Sequence, residues 1–117
     1  TLGRTSTQAL AYQWLEQHAP AGAKVVVERS EVQLPAPHFQ AESVRSLTER
    51  SYDDYRAAGV TYLLGTSLVS GRLIAQPAAH KAEYDAYMTL LTLGREVARF
   101  SPAPDRPGPE LVVIEVR

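Results

Sequence analysis

Six residues carry the side chains best suited to hold a small molecule: Glu28, Arg29, Thr66, Ser67, Ser70 and Arg72. They supply one carboxylate, two guanidinium groups and three hydroxyls, the groups that hydrogen-bond a sugar or pair with an anion. Glu28 and Arg29 end one apolar run of the chain, and Thr66 and Ser67 end another. In an open α/β sheet, ligands sit outside the carboxyl ends of parallel strands, so these positions form a candidate ligand site. The plainer reading is that strand ends are polar because they meet water.

Other chemistries are weaker. Ser67 is the candidate nucleophile of a small hydrolase, but Gly65-Thr66-Ser67-Leu68-Val69 lacks the second glycine of the G-x-S-x-G elbow. Without it the sharp strand-to-helix turn that exposes such a serine is harder to build. His18, His38 and His80 lie far apart and form no H-E-x-x-H pair, so no metal centre is expected. Asp53, Asp54, Glu83 and Asp85 fall in expected helices, where favourable placement in the helix dipole accounts for the first pair. The turn after the first strand reads Glu28-Arg29-Ser30-Glu31 and contains no glycine. It therefore carries neither the dinucleotide fingerprint nor the phosphate-cradling P-loop, and no cofactor is expected. Tyr52, Tyr55, Tyr62, Tyr84 and Tyr87 have faces suited to sugar rings, but at helical and strand spacing they read as core residues with hydroxyls reaching outward.

The elements that position these groups follow from hydrophobic period. Leu10, Ala11, Trp14, Leu15 and His18 share one face of a helix over Thr7–His18, with Thr5 and Gln8 as its capping box and Pro20 and Gly22 as its end. Val25-Val26-Val27 is a β-branched run without alternation, which suits an interior strand over Lys24–Glu28 covered on both faces. Residues 29–50 read as an irregular segment, extended around Pro35 and Pro37, with a short helix or strand near residues 43–47. Residues 51–58 form a short helix capped by Ser51 and Asp54, stopped by Gly59, with Tyr52 and Tyr55 on one face. Val60–Thr66 is the next strand, and strand–helix–strand in this order implies a parallel crossover. Residues 65–71 read as a turn region. Pro77 opens a third helix reaching Leu93, with Tyr84, Tyr87, Met88 and Leu91 as its core stripe. Residues 96–101 and 110–116 are two strands that can pair antiparallel across a proline-rich loop.

The expected architecture is thus α/β: a small mixed sheet of about four strands, a parallel βαβ core plus an antiparallel C-terminal strand, with helices on its faces. At 117 residues the chain fits one domain. Its 44% hydrophobic and 21% charged residues are close to the globular average, which argues against disorder. Net charge is −1 and the arginines are scattered, so no basic stripe supports nucleic-acid binding. There is no Cys, which removes disulfides, thiolate metal sites and thiol nucleophiles together. No apolar run approaches the roughly 18 residues of a membrane span. The chain opens at Thr1 without Met, which reads as a segment cut from a longer protein.

Three stretches, taken in order, resemble a known family. They are T-Q-A-L-A-Y-Q-W-L-E-Q-H-A-P-A-G-A-K-V-V-V over residues 7–27, Y-D-D-Y-R-A-A-G-V-T-Y-L-L-G-T-S over 52–67, and residues 84–117, which end P-G-P-E-L-V-V-I-E-V-R. Together they resemble the soluble C-terminal domain of bacterial polytopic membrane glycosyltransferases of the dolichyl-phosphate-mannose–protein mannosyltransferase-like class. Such tails combine a W-[IL]-E helix, a P-x-G-x-K turn into a strand, a Y-x-x-x-G-x-x-Y helix–strand unit and a closing G-P strand. Residues 29–50 match nothing in that pattern. The family's catalytic acids lie near its first membrane spans, so none of them carries over to this chain. The resemblance implies a non-catalytic accessory domain outside the cytoplasm, tethered to the membrane-embedded part of the same polypeptide. A glycan or protein acceptor would be its further partner. A free-standing module that binds a sugar or anion at the strand ends is the rival reading.

Overall fold

A computed structural model describes residues 6–28 and 39–117. Five strands form one mixed sheet in the order β2-β1-β3-β5-β4, with helices on its faces. The strands are β1 (Lys24–Glu28), β2 (Gln40–Val44), β3 (Val60–Thr66), β4 (Arg95–Phe100) and β5 (Leu111–Glu115). The helices are α1 (Thr7–His18), α2 (Tyr52–Ala57), α3 (Ser67–Ala75) and α4 (Lys81–Leu93). The expected α/β class and mixed sheet are present, with one more strand than the pattern indicated.

β1 is parallel to both of its neighbours, β2 and β3. Its unalternating valines are explained by burial on both faces. Val25 and Val27 enter one core with Tyr12 and Leu15 of α1, while Val26 enters the other with Tyr55, Leu63 and Leu90. The antiparallel half is made by β5, which inserts between β3 and β4 and pairs with both. The proline-rich loop between β4 and β5 is held against the start of α1. The Thr7 amide donates to the Pro107 carbonyl at 2.9 Å, and the Thr7 hydroxyl donates to the Pro109 carbonyl at 2.6 Å.

The extra strand, β2, comes from the segment read as irregular. Residues 29–38 lie outside the described residues, but 40–44 form an edge strand and Leu47–Glu49 a turn of 3₁₀ helix. Only Val44 of the strand is buried, so its sequence carries neither alternation nor an apolar run. Backbone pairing to β1, rather than side-chain burial, makes it a strand.

Several helix details differ from the sequence reading. Thr5 lies outside the described residues; the α1 cap is Ser6, whose hydroxyl accepts the Ala9 amide at 3.1 Å. The buried face of α1 is Thr7, Ala11, Tyr12 and Leu15. Leu10 and Trp14 are half-buried, and His18 is exposed with its ring stacked on Trp14 at 4.2 Å. The α2 capping box between Ser51 and Asp54 is formed, and Tyr52 and Tyr55 are both buried. Gly59, at φ +79, supplies the left-handed residue that stops that helix.

The region around 65–71 is the main correction. It is not a turn region: helix α3 starts directly after β3, with Thr66 as N-cap accepting the Leu68 amide on its hydroxyl. A β3-to-α3 junction without a loop has no turn residues to announce it, and Ser70 and Gly71 sit inside the helix. Pro77 then lies in a turn, where the His80 amide donates to its carbonyl, and α4 begins only at Lys81. The α4 face is also shifted: Tyr87 and Leu90 are buried, Tyr84 and Leu91 are half-buried, and Met88 is 38% exposed.

Candidate functional site

The crevice expected at the carboxyl ends of β1 and β3 is spanned by Glu28 itself. The side chain is 3% exposed. One carboxylate oxygen accepts the Thr66 amide at 3.0 Å, and the other accepts the Leu47 amide at 2.8 Å. The glutamate thus ties the end of β1 to the end of β3 and to the 3₁₀ turn. Buried carboxylates persist only when hydrogen-bonded, and backbone amides supply that here. Gly65 packs close beside it: a Cβ there would press on Val112 at 3.3 Å and stand at an ordinary 3.8 Å from the Glu28 carboxylate.

The open space lies beside this crevice, over β3 and β5. A cleft of about 460 Å³ is bounded by Gly65 and Thr66 of β3, by Ser67, Ser70, Gly71 and Ile74 of α3, and by Tyr84, Tyr87, Met88 and Leu91 of α4. Arg99 of β4, Glu110 and the start of β5 close the remaining side. Its size falls within the roughly 300–1,000 Å³ of small-molecule sites. The missing side chain at Gly65 contributes to the floor, and the shifted face of α4 leaves Tyr84, Met88 and Leu91 overhanging the space instead of filling it.

The polar groups in the cleft are arranged in two sets. The first is a hydroxyl series along α3 and α4. Ser70 donates to the Thr66 carbonyl at 3.3 Å, and the Tyr87 phenol lies beside the Ser70 side chain. Burial pushes the Tyr87 phenol up, while Ser70 draws it part of the way back. It is therefore a neutral donor over the whole ordinary pH range. Ser67 Oγ accepts the Glu110 amide at 3.1 Å, which latches the start of α3 to the start of β5. The second set is charged. Arg99 is paired with both Glu96 and Glu110, which raises its already high pKa, and Ser101 donates to the second oxygen of Glu110 at 3.1 Å.

Of the six residues singled out from sequence, Thr66, Ser67 and Ser70 line this cleft. Glu28 lies behind Gly65 and is held by backbone amides. Arg72 points elsewhere, pairing with Glu83 of α4 at 3.3 Å. Arg29 lies outside the described residues. Sequence reasoning missed Arg99 and Glu110, the charged pair of the cleft. Their signal was faint: Arg99 stands in β4 and Glu110 eleven residues later just before β5, and only the antiparallel pairing of those strands brings them together.

Several of the remaining acids and histidines have ordinary partners, and His38 lies outside the described residues. Asp54 closes the α2 capping box, Asp85 pairs with Lys81, and His18 Nδ1 lies 2.8 Å from the Trp14 carbonyl. Among the described residues, no group of three or more His, Cys, Asp or Glu could hold a metal ion. No helix among the described residues is long and apolar enough to cross a membrane. Ser67 has no histidine beside it among the cleft-lining residues, and its hydroxyl serves the Glu110 amide. Compared with known proteins, the chain matches no family model, no curated protein and no solved structure.

Proposed function

We propose that the chain is a non-catalytic accessory domain of a lipid-phosphate-sugar-dependent membrane glycosyltransferase. In this reading it is tethered at the extracytoplasmic face to the membrane-embedded part of the same polypeptide. Its cleft takes up a glycan or protein acceptor, or gates the membrane active site. The observation that carries the reading is the ordered run of residues resembling that family. The stretch over 7–27 supplies α1 and β1, that over 52–67 supplies α2 and β3, and that over 84–117 supplies most of α4 with β4 and β5. A secondary support is that the acids nearest the cleft, Glu28, Glu96 and Glu110, are engaged by backbone amides or by Arg99. They serve as framework and rim. The test is the parent gene together with a deletion. The gene is expected to encode several membrane-spanning segments ahead of residue 1, and removal of this domain to lower transfer by the full-length enzyme in membranes. A gene without such segments ends this reading.

The cleft itself favours one other reading, a free-standing sugar- or anion-binding module. Its size and its convergent hydroxyls are what a small-molecule site requires. A ligand that binds only the folded state raises Tm by mass action, so a thermal-shift screen over sugars, sugar phosphates and nucleotides separates the two. A module acting alone binds one of them in the absence of any other domain.

A further inference from the structure

We infer that the ligand of this cleft is a neutral, hydroxyl-bearing sugar ring and that the cleft rejects anions. The inference deepens the reading of the cleft as a recognition site and rests on it, but not on any tether to a membrane enzyme.

The argument starts from charge. Among the described lining residues the one cation is Arg99, and it is committed twice: one arm of its guanidinium meets Glu96, the other Glu110. Two carboxylates to one guanidinium leave the rim with a negative surplus. Arg72 could in principle offset this from α3, but its guanidinium is held by Glu83. A phosphate or carboxylate entering here meets the acidic side of the rim and, among the described lining residues, finds no cation without a carboxylate partner. Such repulsion is a common means of excluding a wrong ligand.

The other polar groups of the cleft are neutral hydroxyls. The Tyr84 hydroxyl has no hydrogen-bond partner among the described residues, and its ring is half-buried at the cleft wall. Ser67 Oγ accepts one amide and keeps its own proton available to donate. Tyr87 is held neutral by its burial. The apolar part of the lining is Ile74, Met88 and Leu91; Ile74 is 61% exposed and Met88 is 38% exposed. A pyranose has the matching chemistry: a rim of hydroxyls that both donate and accept, and a C–H face that packs against an apolar or aromatic wall. The Glu110–Arg99 pair puts an acceptor next to a donor, which suits adjacent hydroxyls without any need to neutralise a charge.

The test is an NMR titration of the 117-residue chain with two sets of probes. The first set is the methyl glycosides of glucose, galactose and mannose; the second is inorganic phosphate and the corresponding hexose 1-phosphates. At least one neutral glycoside is expected to shift the amides of Gly65, Ser70, Gly71 and Tyr84 in a saturable way, with no such response to phosphate. Tyr84→Phe, which removes only a hydroxyl with no protein partner, is expected to weaken the glycoside about fivefold, the equivalent of one hydrogen bond. The Glu96→Gln/Glu110→Gln double variant frees Arg99 and is expected to gain a phosphate response at the same amides. Tighter binding of phosphate or a hexose phosphate than of every neutral glycoside by the unmodified chain overturns the ligand class and leaves the cleft standing. A double variant as indifferent to phosphate as the unmodified chain overturns the charge argument. Silence of the cleft amides to every probe removes the recognition-site reading along with this one.

Discussion

The carboxylate of Glu28, at the end of β1, accepts the backbone amide of Thr66 at 3.0 Å, at the end of β3. Two parallel strands are thus tied at their carboxyl ends by a side chain rather than by the ladder alone. The same carboxylate takes the Leu47 amide at 2.8 Å, so the crossover between the strands is anchored at the same point. The consequence for function is positional. The crevice where many α/β proteins hold a ligand is spanned by a protein side chain, and the usable space moves one strand over, between β3 and β5.

Removing this carboxylate exposes its structural role. Glu28→Gln keeps the size but turns one acceptor into an N–H₂ that faces a backbone N–H. One buried amide loses its partner, and the cost is about 1–3 kcal/mol. Glu28→Leu strips both amides and costs more. Urea unfolding followed by circular dichroism checks this: the midpoint falls in the order wild type, Gln, Leu, at nearly constant m-value. A Gln variant as stable as the wild type means that the two amides find other partners.

Tyr55 makes a pH-dependent contribution on the same side of the sheet. Its ring is fully buried, and its hydroxyl donates to the Leu47 carbonyl at 2.6 Å. Burial pushes the phenol up to about 12 from 10.0, against a partial downward pull from Arg50. A phenol raised in the folded state is still protonated where the unfolded chain has already ionised. Its stabilising contribution is complete below pH 10 and is lost as pH rises towards 12. The loss over that window is about 2–3 kcal/mol. Tyr55→Phe costs about 1–2 kcal/mol at neutral pH, because the Leu47 carbonyl loses its donor. It also flattens the alkaline fall. Denaturation midpoints at several alkaline pH values test both effects, and parallel pH profiles for the two proteins would assign the fall to other groups, such as Tyr87.

Which parts of this arrangement were legible in the sequence follows from how each is held. Val25-Val26-Val27 announced a strand covered on both faces because burial alone determines that pattern. Ser51 and Asp54 announced the α2 start because a capping box is local in the chain. β2 was not legible, since Gln40, Ala41, Glu42 and Ser43 are exposed and the strand is held by pairing with β1. α3 was hidden by its abrupt start: Gly65, Thr66 and Ser67 have turn-like composition, yet Gly65 serves close packing and Thr66 a cap. In the candidate site, Thr66, Ser67 and Ser70 were found from their place after a strand. Arg99 and Glu110 were not: the antiparallel pairing was expected, but its register, which shifts between Glu96 and Ala98, and the insertion of β5 beside β3, which brings the pair to the cleft, leave no local pattern.

Gly94 illustrates packing where backbone angle is not the issue. It sits at the end of α4 with φ −80, which any residue adopts. A Cβ there would stand 2.5 Å from Ile114 Cγ2, 2.9 Å from the Leu90 carbonyl and 3.0 Å from the Glu115 carbonyl. Two of these neighbours are backbone of elements that cannot shift independently. Gly94→Ala is expected to cost about 1–3 kcal/mol through overpacking. The check is the unfolding midpoint of the Ala variant, and an unchanged midpoint would show that α4 and β5 separate easily.

The last prediction concerns the loop that closes the sheet. Thr7 is fully buried at the start of α1, and its hydroxyl and amide reach the Pro109 and Pro107 carbonyls. Gly108 stands between them at φ +117, a conformation that keeps both carbonyls turned towards the helix. The loop leads straight into Glu110, so its anchoring sets the position of the cleft's acidic rim. Thr7→Val preserves volume and removes the donor; it is expected to cost about 1–2 kcal/mol, while Thr7→Ser, which keeps the donor, costs less. If the anchor positions the rim, Thr7→Val also speeds hydrogen exchange at Arg106 and Glu110 while the β1 amides stay protected. Faster exchange throughout the sheet would instead mark Thr7 as a general core residue, with no particular hold on the loop.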